Sequence, residues 1–201
     1  MKYRLFLGLL TSLVVLVWAI SSHAILLDFV PANQTVVVGN PLTVDVVISG
    51  LDAANEIVSA FDLDVTYDSS ILSATNVTFG LDLGDPSIFE ALTDFTLLSP
   101  GVVDFAELSL LSDTDLASLQ GDSVTLATLA FDAVEIGQST LNFGGAPPIN
   151  DVKGRNNEIL PLTVGTGNVA VAPIPEPSTM FLFGSGLAGL VGMRLLQARK
   201  K

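Results

Sequence analysis

Cysteine is absent from the 201-residue chain, which rules out disulfides, thiolate metal sites and a cysteine nucleophile. Histidine occurs once, at His23, inside an apolar N-terminal segment, so the rest of the chain has no imidazole for acid/base work or metal ligation. Positive charge is equally scarce. Between Ile25 and Ile174 only Lys153 and Arg155 are basic, against twenty acids, a net charge of −18 that repels nucleic acid and anionic polymers. Long apolar runs are missing from this middle region and occur only at the two ends. About 150 residues then remain for one globular domain.

The N-terminal run has the layout of an export signal. Lys2 and Arg4 are followed by the sixteen apolar-rich residues Leu5 to Ile20, and Ser22-His23-Ala24 places small residues at −3 and −1. Residues 1–24 are therefore expected to be a signal peptide, cleaved after Ala24. The run is short for a bilayer span of about 20 residues, which disfavours a permanent N-terminal anchor.

The middle region alternates with period two. Leu42, Val44, Val46 and Ile48 share one face of Pro41 to Ser49. In Ala60 to Asp68, Phe61, Leu63, Val65 and Tyr67 alternate with Asp62, Asp64, Thr66 and Asp68, so the carboxylates are expected to face water. Further strands are expected over Gln34–Val38, Ile71–Ala74, Val77–Phe79, Val102–Leu110, Val124–Val134, Ser139–Phe143 and Asn168–Val171. Gly39-Asn40, Ser49-Gly50, Gly121-Asp122, Ile136-Gly137 and Gly144-Gly145 punctuate them. The rhythm predicts an all-β antiparallel sandwich of about nine strands, of jelly-roll or immunoglobulin-like topology, over residues 25–171.

Two segments break the pattern. Asp85-Pro86 opens a helical turn expected to run through Ile88, Phe89 and Leu92, and Ser112 to Asp115 opens a short helix over Leu116 and Leu119 that Gly121 stops. Asn150 to Glu158 reads as an exposed loop and Ala172-Pro173-Ile174-Pro175 as a stiff linker.

Val58 to Asp68, with its Tyr67-Asp68 turn followed by Ser70-Ile71-Leu72, resembles the early-strand signature of cohesin-like domains. Val30 to Asn40 and Ala127 to Asp132 extend the likeness from about Leu27 to Phe143. The resemblance implies a jelly roll related to carbohydrate-binding modules, with docking of a dockerin-like protein or association with an extracellular polysaccharide as its business. No short motif marks a docking face, so no contact residue is assigned.

At the C-terminus, Pro175-Glu176-Pro177-Ser178-Thr179 precedes the apolar run Met180 to Met193 and the basic residues Arg194, Arg199, Lys200 and Lys201. This resembles the PEP-CTERM sorting signal of bacteria. The resemblance implies an exosortase-type membrane protease as partner, acting near Pro175-Glu176-Pro177. Residues 172–179 are then a linker carrying the motif, 180–196 a transmembrane helix and 197–201 a basic cytoplasmic tail. Continuation through Leu195-Leu196, with Arg194 snorkelling, lengthens the fourteen-residue run towards a span. Leu195 to Ala198 interrupts the contiguous basic run frequent in that family. Gly184, Ala188 and Gly192 form a small-residue stripe, read equally as a packing face for the sorting enzyme or as a glycine-rich membrane segment.

The sequence calls for no cofactor. Calcium is the one ion for which it offers ligands, through Asp62, Asp64 and Asp68 with Asp45 or Asp132; a solvated face is the plainer reading. Asp82, Asp85 and Glu90 offer carboxylates for glycoside hydrolysis without any sign of a cleft. The chain is therefore expected to be a noncatalytic exported surface or matrix protein that binds a protein or polysaccharide; the alternative is a structural matrix component that self-associates.

Overall fold

The computed structural model describes residues 24–52, 54–97, 100–144, 151–175 and 182–190. Among the described residues twelve strands run from Ile25 to Ala172. They are β1 (Ile25–Val30), β2 (Asn33–Val37), β3 (Pro41–Ser49), β4 (Ala60–Thr66), β5 (Leu72–Phe79) and β6 (Ala91–Thr96). Then come β7 (Val102–Ser109), β8 (Ser123–Ala133), β9 (Gly137–Phe143), β10 (Asp151–Lys153), β11 (Leu162–Val164) and β12 (Thr166–Ala172). One sheet has the order β11-β1-β3-β8-β5; the larger has the order β2-β12-β9-β4-β7-β6, with β10 paired to β4. Most pairs are antiparallel, while β1–β11 and β2–β12 are parallel.

The alternation decides which side chains meet between the sheets. Leu42, Val44, Val46 and Ile48 on β3 and Phe61, Leu63 and Val65 on β4 are all buried. Three aromatic pairs tie the layers together: Phe29 stacks on Phe143 at 4.3 Å, Phe61 lies 6.3 Å from Phe79, and Tyr67 meets Phe131 edge-on at 5.2 Å. Each joins one sheet to the other.

The all-β sandwich is as expected, but twelve strands replace the expected nine or so. β1, β6, β10 and β11 are the additions. The predicted loop 150–158 contains β10, whose three residues are too few to show an alternation. The helical turn after Asp85 covers only Pro86–Ile88, and Leu92 already belongs to β6. Ile71–Ala74 and Val77–Phe79 merge into β5 across a bulge between Ala74 and Asn76.

The predicted short helix is present as α1 (Asp113–Leu119). Ser112 caps it, its Oγ accepting from Asp115 N at 3.3 Å and donating to the Asp115 carboxylate at 2.6 Å. Ser112→Ala is expected to cost about 1 kcal/mol of domain stability, measured by urea unfolding.

Residues 1–23 of the expected signal peptide lie outside the described residues, as do Glu176, Pro177, Arg194, Arg199, Lys200 and Lys201. Of the expected transmembrane segment 180–196, residues 182–190 are described and helical. Among the described residues no helix is long and apolar enough to cross a membrane.

Candidate functional site: the outer face of the larger sheet

Strand register turns residues distant in sequence into rows across the outer face of the larger sheet. Lys153 pairs with Ala60, Ala60 with Leu108, and Leu108 with Leu92. Two residues further along, Asp151, Asp62, Ala106 and Asp94 form the next row by the same pairings. Beyond it Asp64 opposes Asp104, which opposes Thr96. Because side chains two apart on a strand share a face, successive rows stand roughly 7 Å apart. An apolar row thus lies beside two acidic ones.

The apolar row is open to solvent. Leu92 and Leu108 are 52% and 49% exposed although they stand directly opposite each other. A groove of about 420 Å³ follows, lined by Leu92, Asp94, Asp62, Ala106, Leu108 and Lys153 among others. Lys153 Nζ donates to the Asp151 carboxylate at 3.0 Å, so the groove's cation is already committed to one of its acids.

The chain between β5 and β6 turns sharply. Asp85 caps the turn by accepting from Ser87 N at 2.8 Å, and hydrogen bonding from the Ser87 side chain, then from its backbone N–H, holds the Asp85 carboxyl below the usual range. Gly84 has φ +119, and a Cβ there would come within 2.8 Å of Glu90 Cβ. Phe89 follows at φ 62 and is 80% exposed. An aromatic side chain in the left-handed region, held out into water, marks a strained position three residues before Leu92.

The carboxylates of the face repel one another. Burial, then Asp104 and Asp62, push the Asp64 carboxyl up; burial, then Asp62 and Asp94, push Asp104 up. Asp64 is 5% exposed, which corrects the expectation that it faces water. Alternation assigned it to the outer face but says nothing of depth. A carboxyl whose native pKa is raised stabilises the fold fully only below its unfolded value and loses that contribution as pH rises through the native value. Asp104→Asn is therefore expected to raise Tm by about 2 °C at pH 7 and to leave it unchanged at pH 3, read by calorimetry.

The other sequence-designated acids do not assemble. Asp45 and Asp132 project from the outer face of the smaller sheet, where Asp45 accepts from Thr128 Oγ1 at 2.6 Å, away from Asp62 and Asp64. Asp68 accepts from Ser70 N and Oγ at 2.9 and 2.6 Å. Among the described residues no group of three acids is placed to hold a metal ion. Asp82, Asp85 and Glu90 serve structure: Asp82 ties the loop to β8 by accepting from Thr125 N at 3.3 Å, and Glu90 accepts from Asp85 N at 3.1 Å within the loop.

Gln120, just past α1, was not singled out by sequence. Its amide donates to the carbonyls of Val58 and Asp82 at 2.7 and 3.0 Å and accepts from Val58 N at 2.7 Å. It pins α1, the entry to β4 and the loop before β6 to one another. Of the sorting residues, Ala24 is exposed immediately before β1, and Pro175 is exposed beyond β12.

Residues 173–200 match the PEP-CTERM protein-sorting motif. No curated protein matches the chain in sequence. Solved structures do match its fold. The seventh ScaB type I cohesin from Pseudobacteroides cellulosolvens is 14% identical, with 77% of this chain and 96% of that one covered and a TM-score of 0.58. The sixth cohesin of scaffoldin B from Acetivibrio cellulolyticus, solved with a Cel5 dockerin, is 18% identical over 74% and 99% of the two chains, with a TM-score of 0.57. A cohesin module of a family 33 glycoside hydrolase from Clostridium perfringens is 16% identical over 71% and 93%, with a TM-score of 0.54. At these identities the likeness establishes the fold. The chain carries a PEP-CTERM protein-sorting motif behind a domain with the cohesin fold.

Proposed function

We propose that this chain is an exported, noncatalytic docking module that holds a protein partner on the outer face of its larger sheet. The single observation that carries this reading is the row Lys153, Ala60, Leu108, Leu92 lying open beside the acidic row Asp151, Asp62, Ala106, Asp94. Two half-exposed leucines in register on a paired strand give an anchor that costs little ordering entropy. Flanking carboxylates select a partner segment with apolar and basic side chains. The relatives solved with a dockerin make a dockerin-like protein the leading partner; a matrix polysaccharide is the second candidate.

The ends supply the address. Cleavage after Ala24 leaves Ile25, the first residue of β1, as the new N-terminus. The sorting motif, with Pro175-Glu176-Pro177 as the recognition site, a membrane helix over 180–196 and the basic residues Arg194, Arg199, Lys200 and Lys201 on the cytoplasmic side, presents the precursor to an exosortase-type protease. The acidic domain is then left outside the cell, on its surface or in its matrix.

Every strand and the buried core among the described residues lie within Ile25–Ala172, so that fragment serves as bait for the extracellular fraction of the source organism. A saturable protein partner is expected, retained less strongly as sodium chloride rises from 50 to 500 mM because the Debye length shrinks. Retention of polysaccharide alone favours matrix attachment. Concentration-dependent sedimentation of the fragment without any partner contradicts the docking reading and supports self-assembly.

A further inference from the structure

Glu107 lies on β7 between Ala106 and Leu108, both residues of the groove. Its side chain points the other way, into the domain, and the residue is 2% exposed. Among the described residues neither carboxylate oxygen has a hydrogen-bond partner. Directly opposed across the two ladders are Phe61 on β4 and Thr93 on β6, neither ionisable. The charged group that acts on it is Asp82, a like charge on the loop leading from β5 to β6. Asp62, Asp94 and Asp104 belong to the opposite face of the sheet. The two cations among the described residues are engaged elsewhere: Lys153 with Asp151, and Arg155, whose Nε donates to Asn55 O at 2.8 Å.

An ionised carboxylate in such a place has lost its water and gained no compensating partner, so the closed structure requires the neutral acid. We propose that Glu107 is a proton-held latch beneath the docking groove: protonated, it lets β6 and the loop before it close over the domain, and release of its proton to solvent opens that edge. Among the described residues β6 is the edge strand that ends the larger sheet, paired through β7 alone, so it is the element free to lift. Lifting it separates Leu92 from Leu108 and dismantles the apolar row.

Burial, reinforced by Asp82, pushes the Glu107 carboxyl up to about 8. Below the ordinary carboxylate pKa the closed and open forms are both protonated, and the latch is fully engaged. From there to about pH 8 only the closed form keeps the proton, so opening gains up to about tenfold per pH unit; above pH 8 both forms are ionised and the dependence ends.

Hydrogen exchange of the full-length protein, corrected for the intrinsic rate, tests the latch without reference to any ligand. Peptides covering Leu81 to Thr96 are expected to exchange at least tenfold faster at pH 9 than at pH 6, with β3 and β8 unchanged. Glu107→Gln is expected to hold that segment at its low-pH rate throughout, and Glu107→Leu serves the same purpose should the glutamine variant fail to fold. Equal pH dependence in wild type and variant, or acceleration spread over every strand, overturns the latch. Protection restored at pH 9 by millimolar calcium chloride overturns it too, by assigning the pocket to a cation. The consequence for docking rests on the proposed function, whereas the exchange result does not, so a failure of either is recognisable.

Discussion

Leu92→Asp combined with Leu108→Asp is expected to reduce partner retention by the Ile25–Ala172 domain at least a hundredfold while leaving its Tm within about 3 °C of wild type. Both side chains are half exposed in the free domain, so a polar replacement leaves no cavity and strands no buried group. They stand opposite each other on β6 and β7, in the row next to the one that carries Asp94 and Asp62. New carboxylates there remove the apolar anchor and add like charges to a rim that is already repulsive. Calorimetric titration against the isolated partner reads the affinity, and a melt of the same sample shows that the fold persists. A matched pair of aspartates on the outer face of the smaller sheet, at Thr43 and Thr78, is expected to leave binding intact.

Gln120→Leu is expected to be the most damaging single change outside the apolar core, lowering stability by about 3 kcal/mol and Tm by roughly 10 °C. The substitution removes no large volume. It leaves the amide and carbonyl of Val58 and the carbonyl of Asp82 without their partner, and Val58 is fully buried. Each orphaned buried backbone group costs about 1–3 kcal/mol. Because Gln120 also fixes the loop that carries Asp82, the variant is expected to loosen the β5–β6 segment before the rest of the domain. Urea unfolding followed by circular dichroism gives the free energy, and hydrogen exchange shows which segment opens first.

The strands that sequence revealed are those that bury one face and wet the other. β3 is legible to the residue because its apolar positions alternate without interruption over nine residues, and β8 to within one residue although its alternation skips at Leu126-Ala127, both buried, where the register with β3 shifts. β6 escaped because Ala91-Leu92-Thr93-Asp94-Phe95-Thr96 carries apolar residues on both faces, the mark of an edge strand with an uncovered side. β10 and β11 have three residues each and are held by their neighbours rather than by any preference of their own. β1 follows the apolar N-terminal run so closely in sequence that its pattern merges with it.

The candidate site was less visible than the fold. Leu92, Leu108, Ala60 and Lys153 come from four separate segments, and only the register across β6, β7, β4 and β10 makes them a row. Glu107 did leave a signal. In Val102 to Leu110 it shares the parity of Val103 and Phe105, which puts a carboxylate on the core face, and a carboxylate at a core position of a strand marks either a fault or a function. The acidic composition obscured it, since one acid among twenty in the region draws no notice.

The sorting motif and the domain divide the work between them. In the proposed function the motif specifies where the chain is delivered, and the open rows of the larger sheet specify what it holds on arrival. The most direct test is the bait experiment run side by side with wild type, the Leu92→Asp/Leu108→Asp double variant and the Thr43→Asp/Thr78→Asp double variant on the same extracellular fraction. Saturable retention of one protein by wild type and by the smaller-sheet variant, lost with the larger-sheet variant, is the result predicted. Equal retention by all three domains, or loss only when the smaller sheet is altered, would contradict docking on the outer face of the larger sheet.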